Sequence, residues 1–261
     1  MSHWLYIHED MGGEPDVYKP GIAMLPYSAV RARQKFVWKK FELTHLYFGR
    51  AEHIKILEQR IKKNFYDCSG QAHLGNGASL CAAIDGKSIA TTMGFSALDG
   101  LMMGTRSGSL DAGVLMYLIE RGYTHDQLQD LLYRKSGLLG VSTISADMRK
   151  LRKDSNPLAK EAIELFIYKI VRESGAMIAC LGGLDLISFS GGIGEHDPAL
   201  RSAVCKKLLW LGIDLDENLN QQAAEGLTLK ISTAQSRVEV WVVPTDEGIM
   251  TAQEALKLLH L

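Results

Sequence analysis

The stretch from His73 to Gly113 concentrates residue types that can bind an anion. Glycine permits a positive φ and lets backbone N–H groups approach a ligand closely. Arg106 lies between two of these glycines, where its forked guanidinium can clamp a phosphoryl group. The rest of the segment carries little net charge. We therefore predict that its loops bind an anion. The glycines concerned are Gly75, Gly77, Gly94, Gly100, Gly104 and Gly108.

The first of these turns follows a short run of strand-forming residues. We predict a strand that ends in a tight Asn-Gly turn, whose free amides and Asn76 side chain can hold phosphate oxygens. Asn-Gly is also the strongest hairpin signal, and a plain hairpin explains this motif equally well when it is taken alone. Its pairing with Arg106 favours the ligand site. The residues of this turn are His73, Leu74, Gly75, Asn76 and Gly77.

A second glycine turn follows the continuous apolar run 184–190, which predicts a buried strand. Asp197-Pro198 then begins a helix. In α/β folds, nucleotides and anions bind where a turn joins the end of a strand to the start of a helix. A purely structural turn rarely needs three glycines in four residues. The turn consists of Gly191, Gly192, Ile193, Gly194 and Glu195.

Two further motifs have an ordinary structural explanation. The segment 142–151 is explained by a helix start with Ser145 as its cap and Arg149 in solvent. Thr245 and Glu247 are equally ordinary residues for the start of a last helix.

The remaining pattern alternates helices and strands around these turns. Asp111 is expected to cap a helix that ends near Gly122, and Asp126–Lys135 is expected to form another, closed by Gly137. Asn156 and Pro157 start a long helix that reaches about Cys180. Inward positions of the first helix are predicted as Val114, Leu115, Leu118 and Ile119.

Short strands and one more helix complete the predicted elements. Asp85-Gly86 predicts a second hairpin turn, between 81–84 and 88–92. Strands are expected at 227–232 and 238–243, and an amphipathic helix at about 51–65. Residues 1–30 predict loop or short strand.

Composition bounds the class of protein. With 261 residues, 46% hydrophobic content and a formal charge of −1, the chain predicts a folded protein and neither a disordered chain nor a nucleic-acid binder. Its N-terminus has no signal-peptide pattern and we expect no membrane span, so a cytoplasmic protein is predicted. Four cysteines without C-x-x-C spacing predict reduced, buried thiols: Cys68, Cys81, Cys180 and Cys205.

Five motifs, taken together and in order, resemble the acetate kinase family and its propionate kinase relatives, within the sugar kinase, Hsp70 and actin superfamily. The resemblance implies an RNase H-like α/β domain with a mixed sheet and flanking helices at 69–261, and a divergent remnant of the family's N-terminal part with a connecting helix at 1–68. The motifs are HLGNGAS, MGFSALDGLMMGTRSGSLD, SADMRKL, SGGIGE and VPTDE.

The resemblance also implies a reaction and its residues. The family reversibly transfers the γ-phosphoryl group of ATP to acetate or a similar short carboxylate, giving an acyl phosphate and ADP, with Mg²⁺. It assigns the transition-state stabiliser to Arg106 and a magnesium-facing carboxylate to Glu247. It further implies a homodimer. Nucleotide contacts would be His73, Leu74, Gly75, Asn76, Gly77, Asp147, Met148, Arg149, Gly191, Gly192, Ile193, Gly194 and Glu195.

The motifs thin out before Ser69, which leaves two hypotheses. On the resemblance, Glu42 stands where the family has a transition-state histidine, and the N-terminal lobe has no counterpart. The first hypothesis is an acetate kinase-like phosphotransferase, with a separate chain that supplies the missing lobe as one possibility. The alternative is a nucleotide-binding remnant or pseudo-kinase. Acetate and propionate are not distinguished.

Overall fold

The computed structural model describes residues 68–223 and 227–245, together with the backbone of four short strands nearer the N-terminus. The chain divides into two compact units, Met1–Phe48 and Gly49–Leu261. In the first unit, β1 (Leu5–Tyr6) pairs with β4 (Ala23–Met24). In the same unit β2 (Glu9–Asp10) pairs with β3 (Tyr18–Lys19), so the described part agrees with the prediction of short strands.

Several predictions fall outside the described residues. They concern Glu42, Glu247, the helix at 51–65 and the last helix after Thr245. The domain boundary at 68 and 69 stays a prediction.

The second unit is built on a six-stranded mixed sheet, in the order β7-β6-β5-β8-β10-β9. β5, β8 and β10 are parallel neighbours, and the outer pairs are antiparallel. The prediction of a mixed sheet is confirmed. The strands are β5 (Cys68–Leu74), β6 (Ala78–Ile84), β7 (Lys87–Thr91), β8 (Leu186–Ser190), β9 (Leu229–Lys230) and β10 (Glu239–Val242).

The two predicted hairpins both form, by different turns. Asp85 and Gly86 have φ of 51° and 70°, which is the geometry that Asp-Gly favours between twisted strands. The turn at 75–77 is closed instead by a hydrogen bond from the Gly75 N–H to the Gly77 carbonyl, at 2.9 Å. Of the six glycines that the sequence predicts for the anion-binding loops, Gly100 and Gly108 have a left-handed φ, of 93° and 73°.

Helices flank the sheet, and three of them begin at the cap that the sequence predicts. Side chains of Asp111, Asp147, Asn156 and Asp197 accept hydrogen bonds from the first turns that follow them. The predicted cap Ser145 is therefore replaced by Asp147. The helices are α1 (Ala112–Glu120), α2 (His125–Arg134), α3 (Gly137–Ser142), α4 (Met148–Lys153), α5 (Pro157–Leu181), α6 (Gly191–His196), α7 (Pro198–Lys207) and α8 (Glu217–Gln222).

One core joins the sheet to the long helix α5. All five residues of β8 are buried, as their apolar run predicts. Phe166 and Ile170 of α5 are completely buried and belong to the same cluster as Leu74 and Leu80. Close packing of this kind holds the strand ends, and therefore the loops attached to them, in fixed positions.

Two predictions about burial are wrong. No residue of α1 is buried: Val114 is 40% and Ile119 is 55% exposed, because helical spacing shows which residues share a face and not what covers that face. Of the four thiols, Cys205 is buried, whereas Cys180 is exposed because it lies on the solvent side of the last turn of α5. All four are free of disulfide bonds.

Each helix in the described ranges is too short or too polar to span a lipid bilayer.

Candidate active site

The turn after β5 and the loop after β7 meet at the end of the sheet. The Gly104 N–H donates to the Asn76 carbonyl at 3.0 Å. A Cβ on Gly104 would lie 2.2 Å from Asn76 Oδ1, so a larger residue there would displace the Asn76 side chain. A Cβ on Gly77 would lie 3.9 Å from Arg106 Nη1. The structure thus brings together the Asn-Gly turn and the arginine.

Arg106 is half-buried and held from one side of its guanidinium. Its Nη1 donates to the Ala97 carbonyl at 3.0 Å and lies 3.5 Å from Met103 Sδ. Among residues 68–223 and 227–245, its Nε and Nη2 make no hydrogen bond. A fork with one nitrogen anchored and two free is suited to an oxyanion such as a phosphoryl group.

The loop that carries Arg106 is fixed by the start of α3. The N–H groups of Leu138 and Leu139 donate to the carbonyls of Met103 and Gly104, at 2.9 and 3.0 Å. Gly137 has a φ of 64°, and a Cβ there would lie 2.2 Å from the Met103 carbonyl oxygen. Gly137 is therefore a required glycine. The sequence alone predicts it only as the end of a helix.

The glycine turn after β8 lies against the turn after β5. Gly191 has a φ of 76°, and a Cβ there would lie 2.8 Å from the Leu74 carbonyl oxygen. A Cβ on Gly75 would lie 3.7 Å from the Gly192 nitrogen. The two predicted anion turns are therefore neighbours. The turn differs from the prediction in one respect, because residues 191–196 already form the short helix α6.

The side chains in these two turns differ in their exposure to solvent. His73 is half-buried and lies in register with Ser79 on β6 and Ser190 on β8. Leu74 is completely buried, so it can offer a ligand only its backbone. Asn76 is exposed, and Ile193 is half-buried.

Glu195 is buried and links α6 to Thr245, which follows β10 in the chain. Its Oε1 accepts the Gly191 N–H at 2.9 Å, the Thr245 N–H at 2.8 Å and the Thr245 hydroxyl at 2.7 Å. Three donors from the protein satisfy this carboxylate oxygen. This oxygen is therefore occupied by contacts within the protein.

Arg201, on α7, is completely buried beneath the other end of α6. Its Nη1 donates to the carbonyls of Gly194 and Glu195, both at 2.7 Å. Its Nε and Nη2 donate to Asn220 Oδ1 and to the Asn220 carbonyl, at 2.8 and 2.6 Å. Burial lowers the pKa of the Arg201 guanidinium to about 10, against the opposing charge of Asp197, so it stays protonated near neutral pH.

The third predicted nucleotide segment starts α4. Asp147 caps this helix and forms an ion pair with exposed Arg149, through Nη2–Oδ2 at 2.8 Å. The Arg149 guanidinium, mainly by hydrogen bonding, lowers the pKa of Asp147 to about 2. Met148 is buried in the core. A Cβ on Gly104 would lie 3.3 Å from the Ala146 carbonyl, so this segment lies beside the first turn.

A further ion pair joins this segment to the start of α7. Arg152 donates through Nε and Nη2 to the two carboxylate oxygens of Asp197, at 3.0 and 3.2 Å. This forked pair connects α4 to α7. Within the ranges that the structure describes, no group of three or more His, Cys, Asp or Glu side chains is arranged to hold a metal ion.

The sequence does not single out Gly137, Arg201 or Asn220, because the groups that they contact belong to other helices and loops. Glu195 differs from these three residues, because its position at the end of the glycine turn predicts a role in the site.

Fold and site together define an RNase H-like α/β domain of the sugar kinase, Hsp70 and actin superfamily, as predicted. The Acetokinase family profile matches residues 44–253. The chain belongs to this family.

Individual relatives agree with this assignment. An acetate kinase of Rhodopseudomonas palustris is 53% identical over 188 residues, which are 72% of this chain and 47% of that protein. The acetate kinase of Rickettsia felis is 48% identical over 189 residues, covering 72% and 48%. The chain thus spans about half the length of these curated relatives.

Solved structures give the same result. The crystal structure of Porphyromonas gingivalis acetate kinase matches with a TM-score of 0.72 and 31% identity, over 94% of this chain and 65% of that one. A propionate kinase from Francisella tularensis matches with a TM-score of 0.71 and 29% identity, over 92% and 64%.

Proposed function

We propose that this chain carries the nucleotide-binding part of an acetate kinase-type phosphotransferase. It would transfer the γ-phosphoryl group of ATP reversibly to acetate or a similar short carboxylate, such as propionate. The observation that carries the proposal is the convergence of three loops, 75–77, 103–106 and 191–195, at one end of a mixed sheet. No observation on the relatives favours the alternative of a pseudo-kinase.

The nucleotide would lie along the two glycine turns. The turn 75–77 and the residues Gly191 and Gly192 are neighbours that offer backbone without side-chain bulk. The start of α4, with exposed Arg149, borders the same place. Of the predicted contacts, the buried residues Leu74, Met148 and Glu195 would act through their backbone or by shaping the site.

Arg106 would stabilise the transferring phosphoryl group. Phosphoryl transfer depends mainly on positioning and on charge stabilisation in the transition state. A guanidinium held at Nη1, with Nε and Nη2 available, can supply two charge-assisted hydrogen bonds without reorganising.

Magnesium is part of the proposal through Glu247. A carboxylate oxygen is the donor type that Mg²⁺ prefers, and Mg²⁺ bound to nucleotide phosphates would neutralise developing negative charge. Thr245, two residues earlier in the sequence, donates to Glu195 beside the second glycine turn, and this contact supports the proposal.

We also propose that the protein is a cytoplasmic homodimer. Helix α1 supports dimerisation because Val114, Met116, Tyr117 and Ile119 are 40–62% exposed along one short element. Apolar surface concentrated in this way is typical of an interface. A Met116→Glu variant should elute at half the mass of the wild type in light scattering, and a wild-type monomer would contradict the proposal.

The function is tested by nucleotide binding and by acetyl phosphate formation. We expect Mg·ADP to raise the melting temperature of the chain, because a ligand of the folded state must stabilise it. Calorimetry that detects no binding at millimolar ADP would refute the nucleotide site. The coupled assay for acetyl phosphate is run with the chain alone and with a separately expressed N-terminal lobe of an acetate kinase.

Arg106→Ala provides the sharper variant. It should leave stability nearly unchanged and lower turnover by about a thousandfold or more, since it removes one transition-state contact. Arg172→Ala is the matched control, because Arg172 pairs with its neighbour Glu173 on the outer side of α5. Equal activities of the two variants would show that Arg106 is an ordinary solvated arginine with no role in the reaction.

A further inference from the structure

The residues of helix α6 would not form a stable helix in isolation. It has six residues, three of them glycine, and isolated helices shorter than about 12 to 15 residues are marginal even with good helix formers. Gly191 also needs a left-handed φ at its first position. Its conformation must therefore come from contacts with other elements.

Two buried side chains supply those contacts, one at each end. At the start, the Glu195 carboxylate binds the Gly191 N–H and both donors of Thr245. At the end, Arg201 donates to two carbonyls of the last turn, those of Gly194 and Glu195. Helix ends leave such carbonyls unpaired unless a side chain or water satisfies them.

Arg201 is itself held in place by α8. Asn220 accepts from Arg201 through both its side chain and its backbone, and its Nδ2 donates to the Pro198 carbonyl at 2.9 Å and to Glu217 Oε2 at 3.0 Å. The guanidinium fork thus fits four acceptors on two elements. A single ammonium cannot reproduce this geometry.

We propose that Arg201, with Glu195 as its counterpart, is a positioning residue that holds α6 in the arrangement required to bind the nucleotide. Arg201 lies beneath α6 and does not touch the ligand. It acts through Gly191 and Gly192, which it keeps against the turn at Gly75. This inference rests on the proposed nucleotide site and adds the residues that maintain it.

The test compares Arg201→Lys with Arg172→Lys in the full chain. Arg201→Lys keeps the charge and loses the fork, whereas Arg172→Lys makes the same chemical change on the surface. We expect the Kd for Mg·ADP and the KM for ATP to rise at least tenfold in Arg201→Lys, with the KM for the carboxylate within twofold of wild type. Circular dichroism at the assay temperature gives the folded fraction, to which each constant is normalised.

A purely structural role gives a different result. It would lower the melting temperature of Arg201→Lys and leave the normalised Kd and KM unchanged, and that outcome overturns the proposal. If the wild type itself fails to bind Mg·ADP, the proposed nucleotide site fails and the inference fails with it. These two failures are distinguished by the wild-type measurement alone.

Thr245→Val keeps the test decisive if Arg201→Lys does not fold. It preserves side-chain shape and removes only the hydroxyl donor to Glu195. We expect a rise of about threefold in the Kd for Mg·ADP, the scale of one modest hydrogen bond. Thr245→Ser keeps the hydroxyl and should restore the wild-type value. An unchanged Kd in Thr245→Val would overturn the proposal.

Discussion

Replacing Gly137 by alanine tests how the Arg106 loop is held. Gly137 has a φ of 64°, and a methyl carbon added there would lie 2.2 Å from the Met103 carbonyl oxygen and 2.8 Å from that of Arg106. The added carbon meets rigid backbone and not the flexible end of a side chain. The loop from Met103 to Arg106 must therefore move away from α3.

The expected cost has two parts. A left-handed φ costs an alanine about 1 to 2 kcal/mol, and overpacking against backbone costs about 1 to 3 kcal/mol more. Gly137→Ala should therefore lower the free energy of unfolding by about 2 to 5 kcal/mol. Moving the loop by about 1 Å should also lower turnover about a hundredfold, since catalysis depends on that accuracy.

Gly182→Ala is the matched control. Gly182 has a φ of 76°, but no atom lies within 4 Å of a Cβ there, so only the backbone cost of about 1 to 2 kcal/mol applies. Urea denaturation and the acetyl phosphate assay are run on both variants. Equal losses of stability, or unchanged turnover in Gly137→Ala, would refute the steric argument.

Three further predictions concern charge, thiols and the second turn. The pKa of Asp147 in the folded protein is about 2, below its ordinary 3.8, so its ion pair with Arg149 stabilises the fold above pH 4 and is lost as the pH falls through 2. Asp147→Asn should therefore be less stable than the wild type at pH 7. The urea midpoints of the two proteins should converge at pH 2. Burial raises the pKa of Cys205 to about 12, so mass spectrometry should find Cys180 alkylated first at pH 8, and early labelling of Cys205 would contradict its burial. Gly191→Ala should weaken Mg·ADP binding in calorimetry at least tenfold, because its methyl meets the Leu74 carbonyl; an unchanged Kd would speak against this.

Local signals predicted the elements well. Asp85-Gly86 requires only its own two residues to form its turn, and Asn156-Pro157 caps α5 by itself, so both followed from the sequence. The glycines around Asn76 and Arg106 predicted that these two residues share a site, and the structure has both at one end of the sheet.

Features that depend on distant partners were not predictable. Gly137 looks like an ordinary helix stop until the Met103 carbonyl is seen beside it. Arg201 resembles a surface arginine in the sequence, because the four acceptors that bury it come from α6 and α8. The prediction that one face of α1 is buried is wrong for the same reason, because the spacing of its apolar residues does not show whether another element covers them.

The pairing of β5 with β8 has a consequence for how the protein folds. The Cys68 N–H donates to Asp185 Oδ2 at 2.9 Å across a separation of 117 residues, at the start of this parallel pair. The hairpin of β5 and β6 is local and can close within microseconds, whereas closing so long a loop costs more chain entropy and slows the search. The turn at 75–77 therefore forms early, and it gains its neighbour Gly192 only when the distant pairing is complete. If the proposed nucleotide site is correct, nucleotide binds only after this pairing is complete, and stopped-flow experiments can follow the two events in time.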